Sequence, residues 1–143
     1  MTIYLFDFDN TIVKLPYPET YDYMDTPESL EPSLGFKLIK RTQVDYQNAV
    51  QKNNGPLFLL SNRLIKVKDP IKQLLKTFGY KFDGHYLIDN EDRNKGTRLK
   101  KILEKYPGCN HIKYWEDKDK HIDSVTETLK EYPDIKLEII KTI

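Results

Sequence analysis

Two aspartates, Asp7 and Asp9, stand one residue apart at the end of an apolar run, "IYLFDFDNT", residues 3–11. Carboxylates this close repel each other unless a cation or a proton intervenes. Other residues suited to chemistry also sit next to short apolar runs. Thr11 follows the first pair. Ser61, then Asn62 and Arg63, follow "LFLL"; Lys95 opens a stretch of helical period; Glu116 and Asp117 follow "HIKYW". A carboxylate can attack phosphorus as a nucleophile. Further carboxylates can hold Mg²⁺, which takes oxygen ligands and keeps several waters. Such an ion offsets the repulsion between the acids and binds the transferring phosphoryl group. A hydroxyl and a lysine can stabilise the remaining phosphoryl oxygens, and a second aspartate can protonate a leaving group and later activate water. The set suits phosphoryl transfer through a covalent aspartyl phosphate.

The elements that must position these residues alternate along the chain. Strands are expected at 2–7, 57–61, 85–88, 111–115 and 136–140, the second after the turn signal "NNGP". Helices are expected at 70–79, 95–106 and 119–132. In the first, Ile71, Leu74, Leu75 and Phe78 recur on one face, with Pro70 in the first turn, Asp69 as cap and Gly79 as stop. The second buries Leu99, Ile102, Leu103 and Tyr106; the third turns Ile122, Val125, Leu129 and Tyr132 inward. Strand–helix alternation predicts an α/β fold, a parallel sheet with helices on both faces. Ligands of such sheets bind beyond the carboxyl ends of the strands, which is where the reactive residues fall. Residues 12–56 are less regular: 15–32 hold four prolines and three tyrosines, too long for a plain βα loop, and 35–52 read as a helix.

With these residues in place the chain resembles the haloacid dehalogenase-like (HAD) phosphohydrolases. "DFDNT" matches their DxDxT signature, and the serine, the lysine and the acidic pair follow in the family's order across nearly the whole chain. The resemblance implies a Rossmann-like three-layer α/β/α fold with strand order 5-4-1-2-3. It implies Asp7 as nucleophile, Asp9 as general acid/base, Ser61 and Lys95 on the phosphoryl oxygens, and Mg²⁺ held by Asp7, Asp117 and the backbone carbonyl of Asp9. A narrower similarity, carried by "TIVKLPYPETYD", "DTPESLEP", "LLSNR" and "YWEDKDKHI", is to the HAD domain associated with Swiss Army Knife RNA-repair proteins. It implies removal of a terminal phosphate from RNA or a related end-processing step. The sequence departs from the family in one respect. The further Asp usual four or five residues after Asp117 is replaced by His121 and Ile122, which leaves Glu116 or Asp119 as the additional metal carboxylate.

Each residue also has an ordinary reading. Asp7 and Asp9 could be solvated loop acids, and Ser61 a turn residue or helix cap. Lys95 competes with Lys100 and Lys101 on its own helix and is preferred because it lies at the helix start, near the crevice. Glu116 and Asp117 suit the N-terminus of the next helix whether or not they bind metal. Arg63 either faces solvent or holds a substrate phosphate. His121, one turn after Asp117, either contacts substrate or covers the helix start. Asn62 and Thr11 join the candidate substrate contacts. Trp115 and Tyr17, Tyr21 and Tyr23 read as packing rather than base-stacking, and Lys118 and Lys120 as solvated.

Bulk properties set the frame. The 143 residues, 38% apolar and 31% charged, suit one domain, with 12–56 as a small cap-like insert plus helix. The net charge of +1 supplies no global field for nucleic acid. A lone cysteine, Cys109, excludes an internal disulfide and a cysteine-rich zinc site. Met1 leads almost directly into the first strand and no apolar run approaches a membrane span, so a soluble cytoplasmic protein is expected. The expected activity is Mg²⁺-dependent phosphate-ester hydrolysis, on an RNA or DNA end or on a small metabolite such as a nucleotide. A non-catalytic HAD-like binding module is disfavoured by the intact Asp7, Asp9, Ser61 and Lys95. A receiver domain is disfavoured because its phosphorylated Asp follows strand three. A dehalogenase needs no Asp9.

Overall fold

The computed structural model describes residues 1–19 and 24–142. Five parallel strands, β1 (Thr2–Phe6), β4 (Leu57–Leu64), β5 (Gly84–Ile88), β6 (His111–Glu116) and β7 (Lys136–Lys141), form one sheet in the order β5-β4-β1-β6-β7. Counted one to five along the chain, this is the expected 5-4-1-2-3, read from the opposite edge.

β1 lies centrally because it is apolar on both faces, and successive side chains point opposite ways. Tyr4 and Phe6 of β1 join Leu57, Leu59 and Trp115 on one face, under α1 (Lys40–Lys52) and α2 (Lys68–Thr77). Ile3 and Leu5 join Phe58, Leu60, Ile112 and Tyr114 on the other, under α3 (Lys95–Lys105) and α4 (Asp119–Leu129). The result is three layers. Phe6 and Trp115 stack at 4.2 Å and 4° between neighbouring strands, and the Trp115 indole donates to Asp45 of α1 at 2.9 Å. Trp115 is thus a packing residue.

The 12–56 segment holds more structure than its sequence pattern suggests. Val13–Lys14 (β2) and Lys37–Leu38 (β3) form a two-stranded antiparallel ribbon, and two 3₁₀ turns, Pro27–Leu30 and Pro32–Leu34, lie between them. The helix expected over 35–52 starts only at Lys40, because Gly35 takes a left-handed φ of 90° and the chain then runs extended through β3. Tyr46 and Ala49 seat α1 on the sheet core. α2 starts at Lys68, so Pro70 falls in its first turn. Asp69 lies inside the helix instead of capping it, and Gly79, at φ 82°, follows its end. The second strand runs to Leu64, past Ser61. Tyr21 and Tyr23 lie outside the described residues. Among the described residues no helix is long and apolar enough to cross a membrane.

α3 and α4 approach closely at Gly96. A Cβ there would lie 2.0 Å from the Thr128 hydroxyl and 2.9 Å from the Ser124 carbonyl. Gly96→Ala should therefore destabilise the fold by about 1–3 kcal/mol, the usual cost of overpacking. Urea unfolding of the variant measures it.

Candidate active site

Asp7 directly follows β1, and its N–H donates to the Trp115 carbonyl at 3.0 Å, so the ladder with β6 extends to it. Phe8 plunges into the core, which turns Asp7 and Asp9 the other way. The chain then reverses. Asn10 takes φ 58°, a left-handed conformation that asparagine tolerates better than most residues, and the N–H groups of Thr11 and Ile12 converge on the Phe8 carbonyl at 3.2 and 3.0 Å. The turn brings the Thr11 hydroxyl onto Asp7 Oδ2 at 3.0 Å and beside the Thr142 hydroxyl at 2.8 Å.

Lys95 is the first residue of α3, which Asn94 caps by accepting from the Gly96 N–H at 2.8 Å. Its side chain is fully buried, and Nζ donates to Asp7 Oδ1 at 2.9 Å and to Glu116 Oε1 at 2.6 Å. Glu116 also accepts from the Tyr114 hydroxyl and from the N–H groups of Asp117 and Lys118, at 3.0 and 3.3 Å. Lys100, the competing lysine, pairs with Glu131 on the surface, and Lys101 is exposed.

Carboxylate oxygens of Asp7, Glu116 and Asp117 lie within 4.8 Å of one another. Burial, then Glu116, pushes the Asp7 carboxyl well above the usual range, although Lys95 opposes the shift. Burial also raises Asp117, to about 7, with Glu116 adding to it. Burial disfavours the ionised Glu116 too, but Lys95 and hydrogen bonds outweigh it and hold the group at about 2. An all-oxygen set with two carboxylates strained toward protonation fits a hard divalent cation such as Mg²⁺. Within it, Glu116 is the most heavily committed, accepting from Lys95, Tyr114 and the N–H groups of Asp117 and Lys118, against Lys95 and Thr11 alone on Asp7, so Asp7 and Asp117 are the freer donors. Asp119, the sequence-level alternative, points away and pairs with Lys141 at 2.8 Å.

Asp9 does not face Lys95. Both its oxygens accept from Arg63: Nε reaches Oδ1 at 3.1 Å and Oδ2 at 3.0 Å, and Nη2 reaches Oδ1 at 2.6 Å. Burial raises the Asp9 carboxyl, and Arg63 works against that shift. The Arg63 guanidinium also donates to the Tyr17 hydroxyl and the Met24 carbonyl. Arg63 is thus engaged with Asp9 and the insert rather than exposed on the surface. Asp25 secures the same junction by accepting from the Leu64 N–H at 2.9 Å.

Ser61 is fully buried, with its Oγ accepting from the Arg63 N–H at 3.2 Å. Asn62 accepts from Arg98 and donates to the Arg93 carbonyl at 2.8 Å. A crevice of about 240 Å³ opens above Asp7, Asp9 and Asp117. Half-buried His121 lines it; burial, then the nearby Lys95 charge, lowers its imidazole to about 4, so it is neutral at pH 7. Lys118 and Lys120, expected to be merely solvated, also line this crevice, with Lys118 reaching across to Glu19 of the insert.

Sequence reasoning passed over Arg98, Tyr114, Thr142 and Asp25. A signal existed for Arg98: with Lys95, Leu99 and Ile102 it occupies i, i+3, i+4 and i+7, so a second cation interrupts the apolar face of α3. Thr142 and Asp25 reach the site only through long-range folding and carry no local signal.

The architecture matches solved structures. A chain of a Pnkp1/Rnl/Hen1 complex aligns with a TM-score of 0.68 at 17% identity, over 99% of this chain and 45% of that one. A second structure, titled as the Pnkp1/Rnl/Hen1 RNA repair complex, gives 0.66 at 14% identity, over 98% and 42%. A haloacid dehalogenase-like family hydrolase from Streptococcus pneumoniae gives 0.58 at 15% identity, over 99% and 95%. The fold is haloacid dehalogenase-like. The chain spans less than half the length of the two complex subunits. No family model and no curated protein matches the sequence.

Removing the buried ammonium leaves Asp7 and Glu116 without their shared counter-charge. Lys95→Met should cost about 3–5 kcal/mol, as breaking a buried ion pair from one side does. Chemical unfolding against the wild type reads this directly.

Proposed function

We propose that the chain is a Mg²⁺-dependent phosphohydrolase that works through an aspartyl phosphate on Asp7 and removes a terminal phosphate from RNA. The observation that carries the chemistry is the Asp7 carboxylate, held by Lys95 on one oxygen and Thr11 on the other, beside Asp117 at the floor of an open crevice. Asp7, Asp117 and the backbone carbonyl of Asp9 would hold the metal, which when bound neutralises the clustered acids and polarises the phosphoryl group.

An Asp7 oxygen attacks phosphorus, and the bond to the leaving oxygen breaks. Asp9 gives that oxygen its proton. Asp9 then takes a proton from water, which attacks the phosphorus, frees inorganic phosphate and restores Asp7. Lys95 and the Ser61 hydroxyl hold the other phosphoryl oxygens. Asn62 ties the strand at Ser61 to the Arg93 carbonyl, and neutral His121 supplies a hydrogen-bonding wall.

Three features support a polynucleotide end as substrate. The crevice is smaller than the roughly 300–1,000 Å³ of pockets that enclose a whole small ligand, which suits a terminal phosphate whose parent molecule stays outside. Arg93, Lys118 and Lys120 line it, and basic side chains are the usual partners of backbone phosphates. Two of the structural matches come from Pnkp1/Rnl/Hen1 complexes, one of them titled as an RNA repair complex. Residues 12–38 act as a minimal cap, contributing Glu19, Met24 and Asp25 to the crevice wall. The enzyme would work in the cytoplasm.

Phosphate release from 3′- and 5′-phosphorylated oligoribonucleotides should exceed that from nucleotides and sugar phosphates. The reverse order would assign the enzyme to small metabolites. Chelation of Mg²⁺ should abolish release. Asp7→Asn should abolish it while leaving thermal unfolding cooperative, and near wild-type turnover in that variant would refute the mechanism.

A further inference from the structure

β4 and β5 do not pair evenly. Leu60 pairs with Tyr86 and Leu64 with Ile88, so four steps along β4 match two along β5. Ser61, Asn62 and Arg63 therefore stand in a bulge, a device that bends a strand and re-aims its side chains. A bulge also strips backbone carbonyls of their ladder partners, and a buried carbonyl without a donor is costly.

Arg98 of α3 fills this gap. Its Nη1 donates to the Ser61 carbonyl at 2.6 Å and to the Tyr86 carbonyl at 3.2 Å, and its Nη2 donates to Asn62 Oδ1. Arg98 is 7% exposed. These three acceptors are neutral, although a buried arginine ordinarily sits on a carboxylate. Burial lowers its guanidinium to about 10, so the charge is kept at a real energetic cost. The planar fork reaches both strands at once, which a lysine cannot do. Lys95, one helical turn earlier on the same face, holds Asp7. The first two turns of α3 thus deliver one cation to the nucleophile and one to the strand opposite.

We infer that Arg98 is a positioning residue: by plugging the β4–β5 bulge it fixes the Ser61 hydroxyl where a phosphoryl group is held. The inference rests on the assignment of Ser61 to the phosphoryl oxygens. A purely structural role in the sheet would lower stability and leave phosphate affinity in the folded fraction unchanged. A role exercised through Ser61 makes the loss of either residue redundant with the loss of the other.

The test compares wild type, R98M, R98K, S61A and the R98M/S61A double variant, each checked for cooperative thermal unfolding. Affinity for inorganic phosphate is measured with Mg²⁺ by calorimetry, alongside kcat and KM on a phosphomonoester. R98M and R98K should both weaken phosphate binding roughly 10- to 100-fold, the usual penalty for losing an outer-shell partner. KM should rise more than kcat falls, and the double variant should bind no worse than S61A. Wild-type phosphate affinity in folded R98M, or losses in the double variant that multiply, would overturn the inference. If R98M does not fold, R98K decides alone, and wild-type affinity in R98K refutes it. A wild type that binds phosphate but hydrolyses no phosphomonoester defeats the hydrolase reading, while the same affinities still decide the role of Arg98. A wild type that binds no phosphate overturns both.

Discussion

The ammonium of Lys95 sits where no solvent reaches it, against two carboxylates from two different strands. Removing any of these charges from water costs several kcal/mol, and only close geometry offsets that. The geometry demands that α3 start at Lys95, directly after its cap Asn94, that β1 and β6 pair in register up to Asp7, and that α3 lie tight against α4 at Gly96. Each condition has its own physical support: a cap, a parallel ladder and a missing Cβ. Glu116 completes the arrangement. Its remaining hydrogen bonds come from Tyr114 and from the first N–H groups beyond β6, so it anchors the lysine and turns the chain toward α4.

The two aspartates of the opening motif part company in the fold. Asp7 belongs to Lys95, Thr11 and the acidic cluster, and Asp9 belongs to Arg63. The two-residue alternation of extended chain puts both opposite the buried Phe8, and their partners differ because Lys95 arrives from the start of α3 and Arg63 from the end of β4. Arg63 joins Asp9 to Tyr17 and Met24, so the insert is tied to the carboxylate proposed to move the proton. A short segment can therefore shape the crevice without a core of its own. The helix that follows it, α1, is part of the sheet's own covering layer.

Much of this was legible in the sequence for an identifiable reason. Apolar runs ending in Asp7, Ser61 and Glu116 are local signals, and the parallel sheet collects strand ends at one edge whatever the loops do. Lys95 could be preferred over Lys100 because the helix start lies nearest that edge, and Lys100 does turn outward to Glu131. The shift of the helix start from 35 to Lys40 was not legible, since a two-stranded ribbon depends on a partner far along the chain, Val13 with Leu38 and Lys14 with Lys37. Arg63 looked equally fit for solvent or for substrate, because nothing local says that Asp9 lies within its reach.

The sequence by itself determined the alternation of strands and helices, the strand ends on which reactive side chains stand, and the presence there of a close pair of aspartates, a lysine and a second acidic pair. These follow from periodicity and residue type, which act over a few residues. Tertiary structure alone decided which acid each cation serves, that Glu116 anchors while Asp119 looks outward, and that Arg98 fills a break between β4 and β5. Those outcomes depend on charges and hydrogen-bond donors tens of residues apart being buried together. Such a group takes whichever partner the packed layers bring within about 3 Å.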